Sequence, residues 1–322
     1  VTYTYDRNGK VTSATDWSGR VTSYTYNKNS QLVSTQRPDG STETRTYNQA
    51  GQLIQISDHQ GETILHQYDY TYDGRGNITS IATDGEAVGD NDYSVLTNCT
   101  MEYDVNNRLL TYNGEAVTYD ADGNMIHGPL NGVMTDFAYD CRNRLIQAGD
   151  TDYTYDAENH RIVVETKTSV TRYVVDSQPE LTRILQAVET DKATGESRTT
   201  YYTYGTGLIA QEEDQTGYQL YHFNHLGSTT LITDASGQVI QTFEYNPYGE
   251  LLDGEIGTYR FLFNGEYGVV TDANGLYYMR ARYYNVDIKR FMNQDVIVGS
   301  VENSPSLNRY AYVEGNPVNY LD

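Results

Sequence analysis

In the opening string VTYTYD, Val1, Tyr3 and Tyr5 alternate with Thr2 and Thr4, which is the two-residue period of a half-buried β-strand. The alternation returns in QVIQTFEYN, where Val239, Phe243 and Tyr245 fall on one face. Turn strings separate such stretches: RNG at 7–9, WSG at 17–19, PDG at 38–40 and ADG at 122–124. The pattern predicts successive β-hairpins. No segment sustains a helical period with caps. LTRILQAVE, around Leu181, comes nearest to helical composition, and its β-branched neighbours argue against even that.

The hairpins are copies of one unit. Tyr5–Asp6, Tyr26–Asn27 and Tyr47–Asn48 recur every 21 residues, each followed by a turn former and then an apolar residue, as in YDRNGKVTS, YNKNSQLVS and YNQAGQLIQ. A short fixed period predicts a repeat array in which each unit buries its apolar side on its neighbours. After residue 48 the spacing drifts, with Tyr72, Tyr103, Tyr119, Tyr139 and Tyr155 each followed by Asp, and the longer gaps predict inserted loops such as TDGEAVGDNDYS. The expected organisation is an array over 1–165, an irregular continuation over 166–220 and a denser terminal cap over 221–322. About 30 strands at roughly 4.8 Å spacing make a ribbon of about 145 Å, which is on the order of one turn of a wall about 45 Å across.

Composition narrows the functions. The chain carries 22 basic and 44 acidic residues, a net charge of −22, which disfavours nucleic acid and anionic lipid as partners. Its 32 tyrosines against 6 phenylalanines suit half-buried strands, where the ring packs and the hydroxyl stays hydrogen-bonded. No apolar run is long enough to span a membrane. Cys99 and Cys141 form no disulfide framework and no metal-ligand spacing, and whether they pair is open. Both termini read as cuts in a longer polypeptide.

These residues resemble the Rhs or YD-repeat family, which includes polymorphic toxins, wall-associated proteins, the C component of insecticidal toxin complexes and teneurins. The repeats match through YDxxG followed by a basic or polar residue and an aliphatic one. More specific are the strings from Tyr221 to Asp322: YHFNHLGSTTLITDASGQVIQTFEYNPYGE, GLYYMRARYYN, KRFMNQD and SLNRYAYVEGNPVNYLD. The resemblance implies an all-β fold, a spiralling antiparallel sheet of tandem hairpins forming part of a hollow shell closed by a core-region plug. It also implies a bacterial, secreted or cell-surface protein whose partners are its own carboxy-terminal toxin segment, upstream repeats and delivery machinery.

Members of the family often cut themselves just after a D-P-x-G motif. The residues implicated correspond here to Arg282, Asp295 and Asp322, making the chain a candidate single-turnover aspartic autoprotease whose scissile bond would follow Asp322. The usual RYYDP reads RYYNV, with Asn285 and Val286, and the usual QDP reads Gln294, Asp295, Val296. The chemistry stands on its own terms: of two close carboxylates one keeps a proton while the other activates water, and a guanidinium orients a carboxylate or polarises the carbonyl.

Other constellations read as structural. His222 and His225, three apart on a strand, point to opposite faces and do not suit a metal; His160 reads as a solvated turn residue. Asp90, Asn91 and Asp92 lack the spacing of a calcium loop, and Trp17 reads as a turn residue packed on an adjacent hairpin. No cofactor is expected. The alternative to a container is an extracellular adhesion or carbohydrate-binding scaffold, which would display aromatic side chains outward rather than between rungs.

Overall fold

The computed structural model describes residues 1–83, 99–179 and 181–321; the acidic stretch with Asp90, Asn91 and Asp92, and also Asp322, lie outside them. The described residues form antiparallel strands and three short 3-10 turns, with no α-helix. LTRILQAVE contributes the strand Arg183–Asp191, so its β-branched neighbours and ladder partners override its helical composition. The second alternating string forms the strand Val239–Thr242, after which Phe243 is buried and donates its N–H to the Thr230 carbonyl at 2.8 Å.

Two compact units divide the chain. The first comprises Val1–Asn91, Thr200–Glu244 and Asn264–Tyr267. Its eight-stranded sheet runs in chain order from Thr2–Tyr5 to Ile78–Thr83, each strand pairing with the next. Leu208–Glu213, Gly217–Phe223, Thr229–Asp234 and Val239–Thr242 pair likewise in sequence order. Ala14, Tyr24, Ile209, Ala210, Tyr218 and Leu220 make a core cluster here. The second unit comprises Asp92–Thr199, Tyr245–Phe263 and Gly268–Asp322. It holds a ladder from Met125–Leu130 to Arg183–Asp191 and a four-stranded sheet of Val270–Thr271, Leu276–Met279, Arg282–Asn285 and Arg290–Phe291. Phe263, Tyr277, Tyr284, Phe291 and Tyr312 are the aromatic centre of its core.

The Tyr–Asp punctuation has a physical explanation. Asn48 accepts the N–H groups of Ala50 and Gln52 on one side-chain oxygen, at 2.9 and 3.0 Å, while its own N–H donates to the Gln52 carbonyl at 2.9 Å. Asp6 and Asn27 do the same. The side chain thus closes a turn whose backbone cannot satisfy itself. The fourth turn residue must adopt positive φ, which favours Gly51 (82°) or Asn107 (61°) and makes Ser30 (65°) a strained exception. Strand pairing then slips by one residue at the tyrosine, between Thr25 and Tyr26, Thr46 and Tyr47, and Thr71 and Tyr72.

That slip accompanies a tyrosine bond to the preceding repeat. The hydroxyls of Tyr26, Tyr47 and Tyr72 donate to the carbonyls of Val11, Leu32 and Leu53 at 2.9, 2.9 and 2.5 Å. Tyr155 bonds the Leu145 carbonyl at 2.7 Å in the second unit. Each bond contributes about 0.5–1.5 kcal/mol net, and its acceptor sits just past the previous turn. Tyrosine therefore ties one hairpin to the next, which phenylalanine cannot do.

Candidate functional site

Arg282 opens the strand Arg282–Asn285 just past the turn of Arg280 and Ala281, where a φ of 59° at Arg280 takes the chain from Met279 into the return strand. Its guanidinium stacks on Phe291, 3.5 Å from the ring centre, and Nη1 donates to the Arg309 carbonyl at 3.3 Å. With its face and one edge held, Nη2 reaches Asp295 Oδ2 at 2.9 Å. Arg282 and Asp295, two of the three residues the family motif singles out, are thus in contact.

Asp295 is fixed from the backbone side. Its N–H donates to the Arg309 carbonyl at 2.8 Å, and its own carbonyl accepts both Nε, at 2.8 Å, and Nη2 of Arg309. The other carboxylate oxygen accepts the Ile297 N–H at 2.8 Å. The carboxylate keeps 31% of its surface exposed while Arg282 keeps 13%, so a water or peptide can approach Asp295 from solvent. The arrangement is an oriented carboxylate with a guanidinium fixed beside it and one side open to solvent. The third residue, Asp322, lies outside the described residues.

The two departures in the RYYNV string are accommodated. Asn285 is buried, donates to the Pro129 carbonyl at 2.7 Å and accepts the Asp287 N–H at 2.9 Å, so its amide braces the turn after Tyr284. Val286, at the proline position of the string, packs its apolar side chain against the aromatic core.

The histidines have other roles. In the first unit His222 is buried, with Nδ1 at 2.9 Å from Asp58 and Nε2 at 3.0 Å from Thr233; His66 reaches the other Asp58 oxygen at 2.8 Å. Burial alone would raise the Asp58 carboxyl, but Arg37 at 2.6 Å, together with His222 and His66, holds it well below the usual range. Burial and Arg37 pull the His222 imidazole down. His225 packs against Tyr70 with the rings tilted, centres 4.8 Å apart, and His160 is a half-buried turn residue bonded to Asp156. Among the described residues no group of three or more His, Cys, Asp or Glu could hold a metal ion. Cys99 and Cys141 are both free thiols. Trp17 sits in its turn with half its surface exposed, edge-on to Tyr201 at 5.9 Å.

Sequence reasoning missed a second buried ion pair. Arg161, fully buried in the second unit, meets Asp272 at 2.5 Å, donates to the Tyr283 hydroxyl at 3.1 Å and lies 4.2 Å from the Tyr278 ring centre. The partners are 111 residues apart, so no local string announces them.

Comparison with known proteins gives a consistent result. The teneurin YD-shell family model matches residues 40–318, and the RHS repeat model matches 5–42. The tRNA3(Ser)-specific nuclease WapA of Bacillus spizizenii is 28% identical over 268 residues, covering 79% of this chain and 11% of that protein. Toxin subunit YenC1 of Yersinia entomophaga is 32% identical over 113 residues, covering 34% of this chain and 11% of that protein. The chain therefore spans about a tenth of these curated relatives. Among solved structures, TcdB2-TccC3 superposes with a TM-score of 0.68 at 19% identity, covering 99% of this chain and 22% of that one.

Proposed function

The chain belongs to the teneurin YD-shell family, and from that premise we propose that it is a wall and plug segment of a container for a carboxy-terminal toxin, which it frees from the polypeptide by one self-cleavage beyond Asp322. The observation that carries the reading is the tyrosine bond between successive repeats: aromatic side chains are spent on joining rungs, as a wall requires, rather than displayed for capture. The toxin subunit and shell-like structure among its matches support the same reading. In that role the protein is bacterial and secreted or displayed at the surface, working with upstream repeats and a delivery machinery.

In the cleavage step water adds to the amide carbonyl beyond Asp322, the C–N bond breaks, and the leaving nitrogen takes a proton. Asp295 and Asp322 share this proton traffic, one accepting from water and the other supplying the amine, and Arg282 holds Asp295 in place. The contact of Arg282 with Asp295 at 2.9 Å supports this division of labour. The test is to express the chain with its natural downstream sequence and look for two fragments on a gel. The wild type should be cut, and Asp295→Asn and Asp322→Asn should run as one band. An uncut wild type removes the enzymatic part of the reading, and normal cutting in both variants assigns it to other residues.

One feature favours the adhesive alternative. Trp17 and Tyr201 are 52% and 41% exposed and lie together, as a sugar-stacking pair would.

A further inference from the structure

Within the second unit a cavity of about 380 Å³ is lined by Arg142, Arg144, Arg161, Arg280 and Arg282. Its volume falls within the range of small-molecule pockets, roughly 300–1,000 Å³. Five guanidiniums on one cavity wall are unexpected in a chain of net charge −22 that has only 22 basic residues in all. His160 is also on the lining, with Nδ1 at 3.1 Å from Asp156, and Glu158 is the one carboxylate among the described lining residues.

Neighbouring carboxylates neutralise part of this charge. Arg144 pairs with Asp140 at 2.5 Å, Arg161 with Asp272 at 2.5 Å and Arg282 with Asp295 at 2.9 Å. Arg142 is held differently, by the Ala157 carbonyl at 3.2 Å and the Asn159 side-chain oxygen at 3.1 Å, and neither contact cancels its charge.

The donors on the wall are also under-used. Arg161 is fully buried, yet its Nε and Nη2 have no hydrogen-bond partner among the described residues, and the buried hydroxyl of Tyr139, also on the lining, has none. Tyrosine rings cover the faces of the Arg161 guanidinium and leave these edge donors unmatched. A buried donor without an acceptor is costly and rare, and here three of them share a cavity with Arg142, whose own contacts leave its charge in place. The missing complement is a ligand rich in acceptor oxygens and negative charge. Guanidinium forks match phosphate and carboxylate geometry in this way.

We propose that this cavity binds a small polyanion carrying phosphate or clustered carboxylate oxygens, with Arg142, Arg161 and the Tyr139 hydroxyl among its donors. The site does not depend on self-cleavage, although Arg282 borders it, and a bound anion would compete with Asp295 for that guanidinium.

Calorimetric titration of the full chain in a low-salt, phosphate-free buffer tests the proposal, with pyrophosphate and citrate as separate ligands and sodium chloride as the ionic-strength control. Saturable one-to-one binding of either ligand is expected, and the preferred one identifies phosphate or carboxylate as the recognised group. Arg142→Ala removes an exposed side chain, so its unliganded melting temperature should stay near wild type while affinity falls about tenfold, the scale of one charged hydrogen bond. Arg75→Ala, in the first unit, should leave affinity unchanged. Absence of saturable binding by both ligands overturns the proposal, as does an Arg142→Ala variant that binds as tightly as wild type.

Discussion

Replacing Asn48 by alanine isolates the turn device on which every repeat depends. The substitution removes the oxygen that accepts Ala50 N–H and Gln52 N–H at 2.9 and 3.0 Å. Each such bond contributes about 0.5–1.5 kcal/mol, but Ala50 is exposed and water can replace part of its loss. We therefore expect a total of about 1.4 kcal/mol, close to the loss of a helix N-cap, which speeds opening of the turn about tenfold. Asn48→Asp keeps the accepting oxygen and should cost less than about 0.5 kcal/mol, since Asp6 and Asp73 make the same two bonds in sister turns. Native-state hydrogen exchange at residue 48 and Gly51, whose amides bond across this turn, reads the difference without requiring two-state unfolding. Exchange in the alanine variant within twofold of wild type would refute the bracing argument, and equal losses in both variants would point to the side-chain nitrogen instead.

Other predictions follow from the same geometry. Tyr47→Phe should lose about 1 kcal/mol by leaving the Leu32 carbonyl without its donor, seen as faster exchange in Leu32–Gln36 and Ser41–Tyr47; unchanged exchange would remove the tyrosine from the repeat joint. Burial pushes the Glu266 carboxyl up to about 7 from 4.5, with Arg45 opposing and Glu43 reinforcing the shift. The folded state then binds the extra proton between those values, so this group's contribution falls as pH rises from about 4.5 to about 7. Glu266→Gln should accordingly raise the melting temperature more at pH 8 than at pH 4, and an equal effect at both would contradict the shift. Ser30→Gly relieves a positive φ at an exposed turn and should stabilise by up to about 1 kcal/mol in denaturant titration; destabilisation would show that the strain is absent. Both thiols should react with an aromatic disulfide reagent in the native protein, Cys141 faster because it is the more exposed, and a chain with no reactive thiol would mean that the cysteines are paired.

The hairpin period was legible because tyrosine, turn former and aliphatic residue recur at fixed spacing, and strands follow from that alternation directly. The work of the Asx side chain was less visible. Asp16, Asn224 and Asp234 close the same turn without a tyrosine before them, and only the wider pattern of Asp or Asn followed three places later by Gly would have found them. Arg282 and Asp295 were singled out by specific strings, but their contact, across the chain between Arg282 and Asp295, was not written in either string. Arg161 gave no signal, because a single arginine in YDAENHRI looks solvated until Asp272 and four tyrosine rings surround it. Long-range ion pairs are set by how sheets pack, which no local period encodes.

The container reading is tested most directly by protection of its cargo. The natural polypeptide, extended through whatever follows Asp322, would be treated with a nonspecific protease beside the same downstream segment expressed alone, and the survival of that segment followed by mass spectrometry. The account predicts that the segment outlasts its free form by at least tenfold while accompanied by the YD-repeat chain. Digestion at the same rate in both samples would contradict it.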